Sequence, residues 1–159
     1  AGAATSTRLA CTEAPSRATW HVRPNDIITS TVRPIRRLTA QIAPEQDGFV
    51  CSSGFVVAEP HKMAPEVLLT YLRLPVICEL LDLFASASMY PAITESDIFN
   101  LPLPSIPDRV AVEVARCVHD AKAAKARAAE MLNTAKRAVE IAIEDTEAAA
   151  LRYLRDAGA

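Results

Sequence analysis

The sequence predicts an α+β fold: a small mixed-sheet head with packed helices, followed by a long helix of coiled-coil type. Three observations carry that expectation. Short β-branched runs punctuated by Gly and Pro fill residues 26–60, two proline-initiated apolar segments follow, and the stretch from about Asp108 to Asp156 contains neither Pro nor Gly. The two parts meet at Leu101-Pro102-Leu103-Pro104-Ser105-Ile106-Pro107. Proline fixes φ and lacks an N–H, so this run is neither helix interior nor central strand and reads as a stiff, extended exit. The expected organisation is a head over residues 1–107 and an arm over residues 108–159.

In chain order, Asp26-Ile27-Ile28-Thr29-Ser30-Thr31-Val32 reads as a strand that stops at Arg33-Pro34. After Gly48, Phe49-Val50-Cys51-Ser52-Ser53 and Gly54-Phe55-Val56-Val57-Ala58 read as two more. Pro65 and Glu66 open an apolar helix that runs to Arg73, because proline suits the first helical turn and a carboxylate favours its positive end. Leu74-Pro75 interrupts it, and residues 75–85 resume as a second helix or a kinked continuation. A polar loop, Ser86-Ala87-Ser88-Met89-Tyr90, comes next; Thr94-Glu95-Ser96-Asp97 then offers turn or capping chemistry before Ile98-Phe99-Asn100-Leu101, expected as a last strand. The arm reads as one helix. Val114, Val118, Ala121, Ala128, Leu132, Ala135, Val139 and Ala142 recur at three, four or seven positions and form a stripe that needs a partner. Lys122, Lys125, Arg127, Lys136 and Arg137 precede Glu140, Glu144, Asp145 and Glu147, so an antiparallel mate of similar sequence would match base to acid; a merely solvated face is the plainer alternative.

Composition narrows the function classes. Of 159 residues 50% are apolar, enough for one ordinary core, and no apolar stretch is long enough to span a bilayer. The start, Ala1-Gly2-Ala3-Ala4-Thr5-Ser6-Thr7, lacks the charged-then-apolar order of a targeting signal, so a soluble, cytoplasmic protein is expected, and a fragment of a longer polypeptide. Cys11, Cys51, Cys78 and Cys117 form no C-x-x-C pair and read as reduced, mostly buried thiols. His21, His61 and His119 are scattered, without metal-ligand spacing. Net charge is −2, unevenly spread: residues 1–40 hold six Arg and two acidic residues, residues 41–107 two basic and eight acidic, and the arm nine of each. An anion-binding surface is therefore expected only on the first segment.

The order of these parts resembles a specificity subunit of the type I restriction-modification systems, a protein built from DNA target recognition domains joined by long helices. The resemblance rests on the Asp26-to-Pro34 strand, Ser52-Ser53-Gly54-Phe55-Val56-Val57, the Tyr71-Leu72 helix, Ser88-Met89-Tyr90-Pro91-Ala92-Ile93, and the Ile98-to-Pro104 exit into a helix. It covers about Trp20 to Ile143 and matches the later part of one recognition domain plus its helix. A fragment, a half-sized subunit and the tail of a methyltransferase fused to its own recognition domain all fit. The resemblance implies double-stranded DNA, a methyltransferase and a restriction subunit as partners, with pairing through the long helix. It implies S-adenosylmethionine and ATP for those partner subunits only; no cofactor is expected in this chain.

Arginine supplies the corresponding chemistry. Arg33, Arg36 and Arg37, with Arg23 upstream, offer guanidinium groups that bind phosphate and match guanine O6 and N7, although a solvated basic loop has the same composition. Thr29 and Thr31 alternate with Ile28 and Val32 and are expected to face outward beside the arginines. Ser86, Ser88 and Tyr90 form a second candidate contact, or else cap a helix with Tyr90 in the core. Catalysis is not expected. The Asn100-Leu101-Pro102-Leu103 run lacks the adjacent prolines of an amino-methyltransferase motif, Asp108 and Glu113 have no E-x-K after them, and four glycines in the whole chain leave no phosphate cradle. The competing class is a helical oligomerisation protein with a protein-binding head.

Overall fold

A computed structural model describes residues 2–85 and 91–158. Within them lie strands β1 (Ala18–His21), β2 (Ile27–Ser30), β3 (Thr39–Gln41), β4 (Val50–Ser52) and β5 (Phe55–Ala58). Helices α1 (Pro65–Tyr71), α2 (Pro75–Phe84), α3 (Glu95–Phe99), α4 (Asp108–Glu144) and α5 (Glu147–Ala157) follow. The chain divides into two units, Ala1–Ala115 and Arg116–Ala159, with the division inside α4.

Strand β2 is the centre of the first unit. It pairs antiparallel with β3 on one edge, Ile28 opposite Ala40, and with β5 on the other, Ile28 opposite Val57. A separate antiparallel ribbon joins β1 to β4. Ile28 packs with Val22, Ile42, Ala40, Val57 and Cys51, so one face of β2 is closed against a cluster that includes the ribbon. Its other face carries Ile27, fully buried, and Thr29, and helix α1 lies over it. Burying a side chain the size of Ile27 contributes ~2–3 kcal/mol. The Gln41 amide donates to the Glu66 carboxylate of α1 and to Asn25 Oδ1, each at 3.1 Å, which satisfies the polar groups that the α1–β3 seam buries. Gly2, at φ 88°, extends the sheet edge: Gln41 N–H donates to its carbonyl, and Ala3 bridges Gln41 in parallel.

Of the two readings open at Leu74-Pro75, a separate second helix is the one present, because Leu74 is extended at φ −60°, ψ 136°. Two expectations require correction. The segment expected as the last strand is helix α3: Thr94 accepts from the Asp97 N–H, and the Asp97 carboxylate takes the Thr94 N–H and hydroxyl at 2.7 and 2.8 Å, a reciprocal cap that starts a helix. The arm, expected to be one helix, stops at Glu144, and Thr146 caps α5 by accepting from the Ala149 N–H. The exit prolines, in contrast, take neither helix nor strand form, and the Tyr71 hydroxyl donates to the Pro102 carbonyl at 2.6 Å.

In the second unit Ala138 of α4 and Ala150 of α5 are buried, with Thr134, Ile141 and Tyr153 half-buried beside them, so α5 lies back against the end of α4. Arg137 is held protonated first by its hydrogen bond to Glu140, then by Glu144, with Tyr153 of α5 a lesser contributor. The face used, Thr134-Ala138-Ile141, is not the predicted stripe. Ala121, Ala128, Leu132, Ala135, Val139 and Ala142 are exposed, and Val114 and Val118 are half-buried.

The α3 cap makes a pH prediction. Hydrogen bonds from the Thr94 backbone and hydroxyl hold the Asp97 carboxyl below the usual carboxylate range. Its stabilising contribution is complete above the unfolded carboxylate pKa and is lost as pH falls through the depressed folded value. Thermal scans should show Asp97→Asn less stable than the wild type at neutral pH, with a difference that narrows on acidification; a constant difference across pH contradicts the assignment.

Candidate nucleic-acid interface

The connection from β2 to β3 carries the arginines and is built as a fixed projection rather than a loose loop. Pro34 is buried and opens a short 3-10 turn, Pro34–Arg36. The residues on either side, Arg33 at φ 52° and Arg37 at φ 55°, are both left-handed. For a residue with a Cβ that conformation costs on the order of 1 kcal/mol, and it persists only where the surroundings enforce it. Several hydrogen bonds do so here. The Arg33 N–H donates to the Pro91 carbonyl at 2.8 Å, the Arg37 N–H to Pro34, and the Ser30 N–H to Leu38. Arg73, just beyond α1, sends Nη1 to the carbonyls of Arg37 at 2.7 Å and Thr39 at 3.1 Å. The backbone is thus held while the side chains of Ile35, Arg36, Arg37 and Leu38 stay exposed.

The sheet register brings a further arginine to this end. Ser30 lies opposite Phe55, and both the N–H and the hydroxyl of Thr31 donate to the Gly54 carbonyl. Ala18 lies opposite Ser52, and the Ser53 N–H donates to the Arg17 carbonyl at 2.7 Å. Arg17 is exposed, with its guanidinium beside Gly54, so it shares the sheet end of Arg33, Arg36 and Arg37. Sequence reasoning missed Arg17 and Arg73, because only strand register places the first beside Gly54 and only tertiary packing carries the second to the turn.

Other predicted contacts lie elsewhere. Arg23 precedes β2 and so sits at the opposite end of that strand from Arg33; its side chain is exposed, and its N–H donates to Asp26. Thr29 does not face outward. It is 7% exposed, and its hydroxyl bonds Thr39 Oγ1 at 2.6 Å, because helix α1 covers the face that alternation alone would leave open. Thr31 is half-buried, with its hydroxyl committed to Gly54. Ser86, Ser88 and Tyr90 lie outside the described residues.

Elsewhere in the first unit, an apolar pocket of about 370 Å³ lies among residues 58–63, Tyr71, Phe99 and Leu103. Among the described residues no cluster of His, Cys, Asp and Glu is arranged to hold a metal ion, and no helix is long and apolar enough to cross a membrane. Of the free thiols, Cys78 is buried and Cys51 half-buried, but Cys117 is exposed, against the expectation of mostly buried cysteines. Burial, and secondarily the Asp26 charge, pushes the Cys51 thiol pKa up, away from reactive thiolate chemistry.

No family model matches the sequence, and no curated protein matches it. Solved structures do. The HsdS subunit from Thermoanaerobacter tengcongensis aligns over 88% of this chain at 28% identity and a TM-score of 0.61. A chain of a type I R-M system, solved for its complex assembly and conformational transition, aligns over 79% at 31% identity and a TM-score of 0.55. These neighbours are HsdS specificity subunits of type I restriction-modification systems, and the chain has the fold of an HsdS-like domain. It spans 39% of the length of the first and 32% of the second.

Glycine accepts φ near 55° without a Cβ penalty. Arg37→Gly should therefore leave the melting temperature unchanged or raise stability by up to ~1 kcal/mol, whereas Arg36→Gly, inside the 3-10 turn, should lower it. Paired thermal melts decide; equal losses at the two positions would show that the left-handed geometry at Arg37 stores no strain.

Proposed function

We propose that this chain is a non-catalytic, sequence-specific DNA recognition module of a restriction-modification methyltransferase complex, with residues 1–107 forming part of a target recognition domain and residues 108–159 a spacer and subunit-docking arm. The observation that carries the reading is the pinned arginine turn at residues 33–37, on a head that shares its fold with HsdS subunits. Its guanidinium groups, with Arg17 beside them, approach a duplex as a preformed set, binding phosphate and offering bidentate contacts to guanine. Adenine methylation with S-adenosylmethionine and ATP-driven cleavage belong, on this reading, to partner subunits working in the cytoplasm.

Exposed stripe residues such as Leu132, at 56%, and Val139, at 60%, support a second element of the proposal: α4 pairs with another helix, from a second copy or a second recognition domain. That contact fixes the separation of two DNA-reading heads.

Two experiments test the proposal. In duplex pull-downs from a mixed-sequence pool, charge reversal at Arg33, Arg36 and Arg37 together should abolish retention, and Arg36→Ala should flatten the slope of log K against log salt by about 1. Wild-type affinity in the triple variant sinks the patch assignment. In sedimentation, Leu132→Glu with Val139→Glu should convert an associating chain to monomer while the melting temperature changes little; association that survives both charges excludes the stripe as the contact.

A further inference from the structure

We propose that Arg73 is a positioning residue for DNA recognition, holding the 33–38 turn in its reading geometry without itself touching the duplex. The inference rests on the recognition reading above and adds a residue which that reading does not use. Arg73 and the turn lie far apart in sequence, yet Arg73 Nη1 reaches two carbonyls, of Arg37 at 2.7 Å and Thr39 at 3.1 Å. These carbonyls flank Leu38, where the chain leaves the left-handed Arg37 and enters β3.

Alternative roles fit the geometry less well. The Arg73 hydrogen bonds shown are to neutral backbone oxygens and not to a carboxylate, so its charge remains uncompensated by them. The same contacts bring that charge to the backbone of Arg37. A guanidinium set against the backbone of an arginine-rich turn adds positive charge where a neutral donor would satisfy the same carbonyls. Arg73 is also anchored from behind. Its own N–H donates to Thr70, the next residue's N–H to Tyr71, and the Cys78 thiol to the Leu72 carbonyl, so the α1–α2 connection that carries it is itself ordered.

The physical consequence separates affinity from discrimination. Phosphate attraction depends on the number of positive charges near the duplex and tolerates a mobile turn, whereas base reading needs donors held to within a fraction of an ångström. Releasing the clasp should therefore spare binding to arbitrary sequence and erode sequence preference.

The test uses the full chain as wild type, Arg73→Met and Arg73→Lys, with two readouts. The first is the rate of tryptic cleavage after Arg36 and Arg37, followed site by site by mass spectrometry in the absence of DNA, alongside thermal melts. Arg73→Met should unfold cooperatively and be cut at these bonds about tenfold faster; an unchanged rate overturns the clasp. The second compares affinity for a random-sequence duplex with that for a duplex enriched by the wild type from a randomised pool. Arg73→Met should lose about tenfold in preference and less than threefold in affinity for random duplex. Arg73→Lys keeps the charge but not the reach or planarity of the guanidinium, and should not restore the preference. Full restoration by lysine would make residue 73 a direct phosphate contact and overturn the positioning role. If the wild type enriches no duplex at low salt, the recognition reading fails and the positioning role for DNA falls with it, while the cleavage rates still decide whether the clasp holds the turn.

Discussion

The seating of α1 on the central sheet is the constraint on which the first unit depends. The helix lies across β2 and β3, with Val67 and Leu69 buried and Glu66 accepting from Gln41 at its start. Where it ends, Tyr71 reaches the irregular proline exit, and Arg73 reaches the backbone on either side of Leu38, between the arginine turn and β3. Tyr71 donates to Pro102 and holds the exit; Arg73 donates to Arg37 and Thr39 and holds the arginine turn. Irregular backbone carries carbonyls that no ladder satisfies, and side chains projected from a rigid element are an economical source of donors. The turn is placed by α2, which packs against Pro34–Arg36, together with the Arg73 hydrogen bonds, and the exit is held by Tyr71, so neither position follows from local sequence alone.

That dependence explains which features were legible in the sequence. Runs with a local physical signature were readable: the β-branched stretch around Ile27 and Ile28, the proline starts of α1 and α2, the proline exit, and the proline-free helix. Features decided by a neighbour were not. β3 has only three residues and exists because β2 offers it a ladder, and β1 exists because β4 does. Thr29 looked outward because alternation assumes one open face, whereas β2 is covered on both. The Thr94-to-Asp97 cap was visible, but the apolar residues after it were given the wrong period, and a single threonine at position 146 outweighed a long alanine-rich pattern.

The arginine turn was legible in composition and illegible in conformation. Clustered basic residues after a strand announce an anion-facing edge, but nothing in Arg33-Pro34-Ile35-Arg36-Arg37 announces two left-handed residues or a clasp from position 73. A left-handed arginine is a local conflict between propensity and fold, and such conflicts concentrate where geometry is selected over stability. Net charge would have hidden the site altogether: the chain is acidic overall, at −2, while Arg17, Arg33, Arg36 and Arg37 gather where β2 ends and β5 begins.

A basic edge this small has a consequence for the proposed arm. Arg17, Arg33, Arg36 and Arg37 can neutralise about four phosphates, and each contributes roughly one unit of salt dependence, so a single head at physiological ionic strength would bind weakly. Two heads held at a set distance change the arithmetic, because the second binds at an effective concentration fixed by the connecting element, and a rigid connector raises that concentration only at sites with matching spacing. A long helix with exposed Leu132 and Val139 among small, exposed alanines suits such a connector better than a flexible linker would. On the proposed reading, the modest charge of the head and the length of the helix are two parts of one solution. If so, weak individual contacts would keep the protein from lodging on arbitrary DNA, and paired helices would convert two weak readings into one specific one.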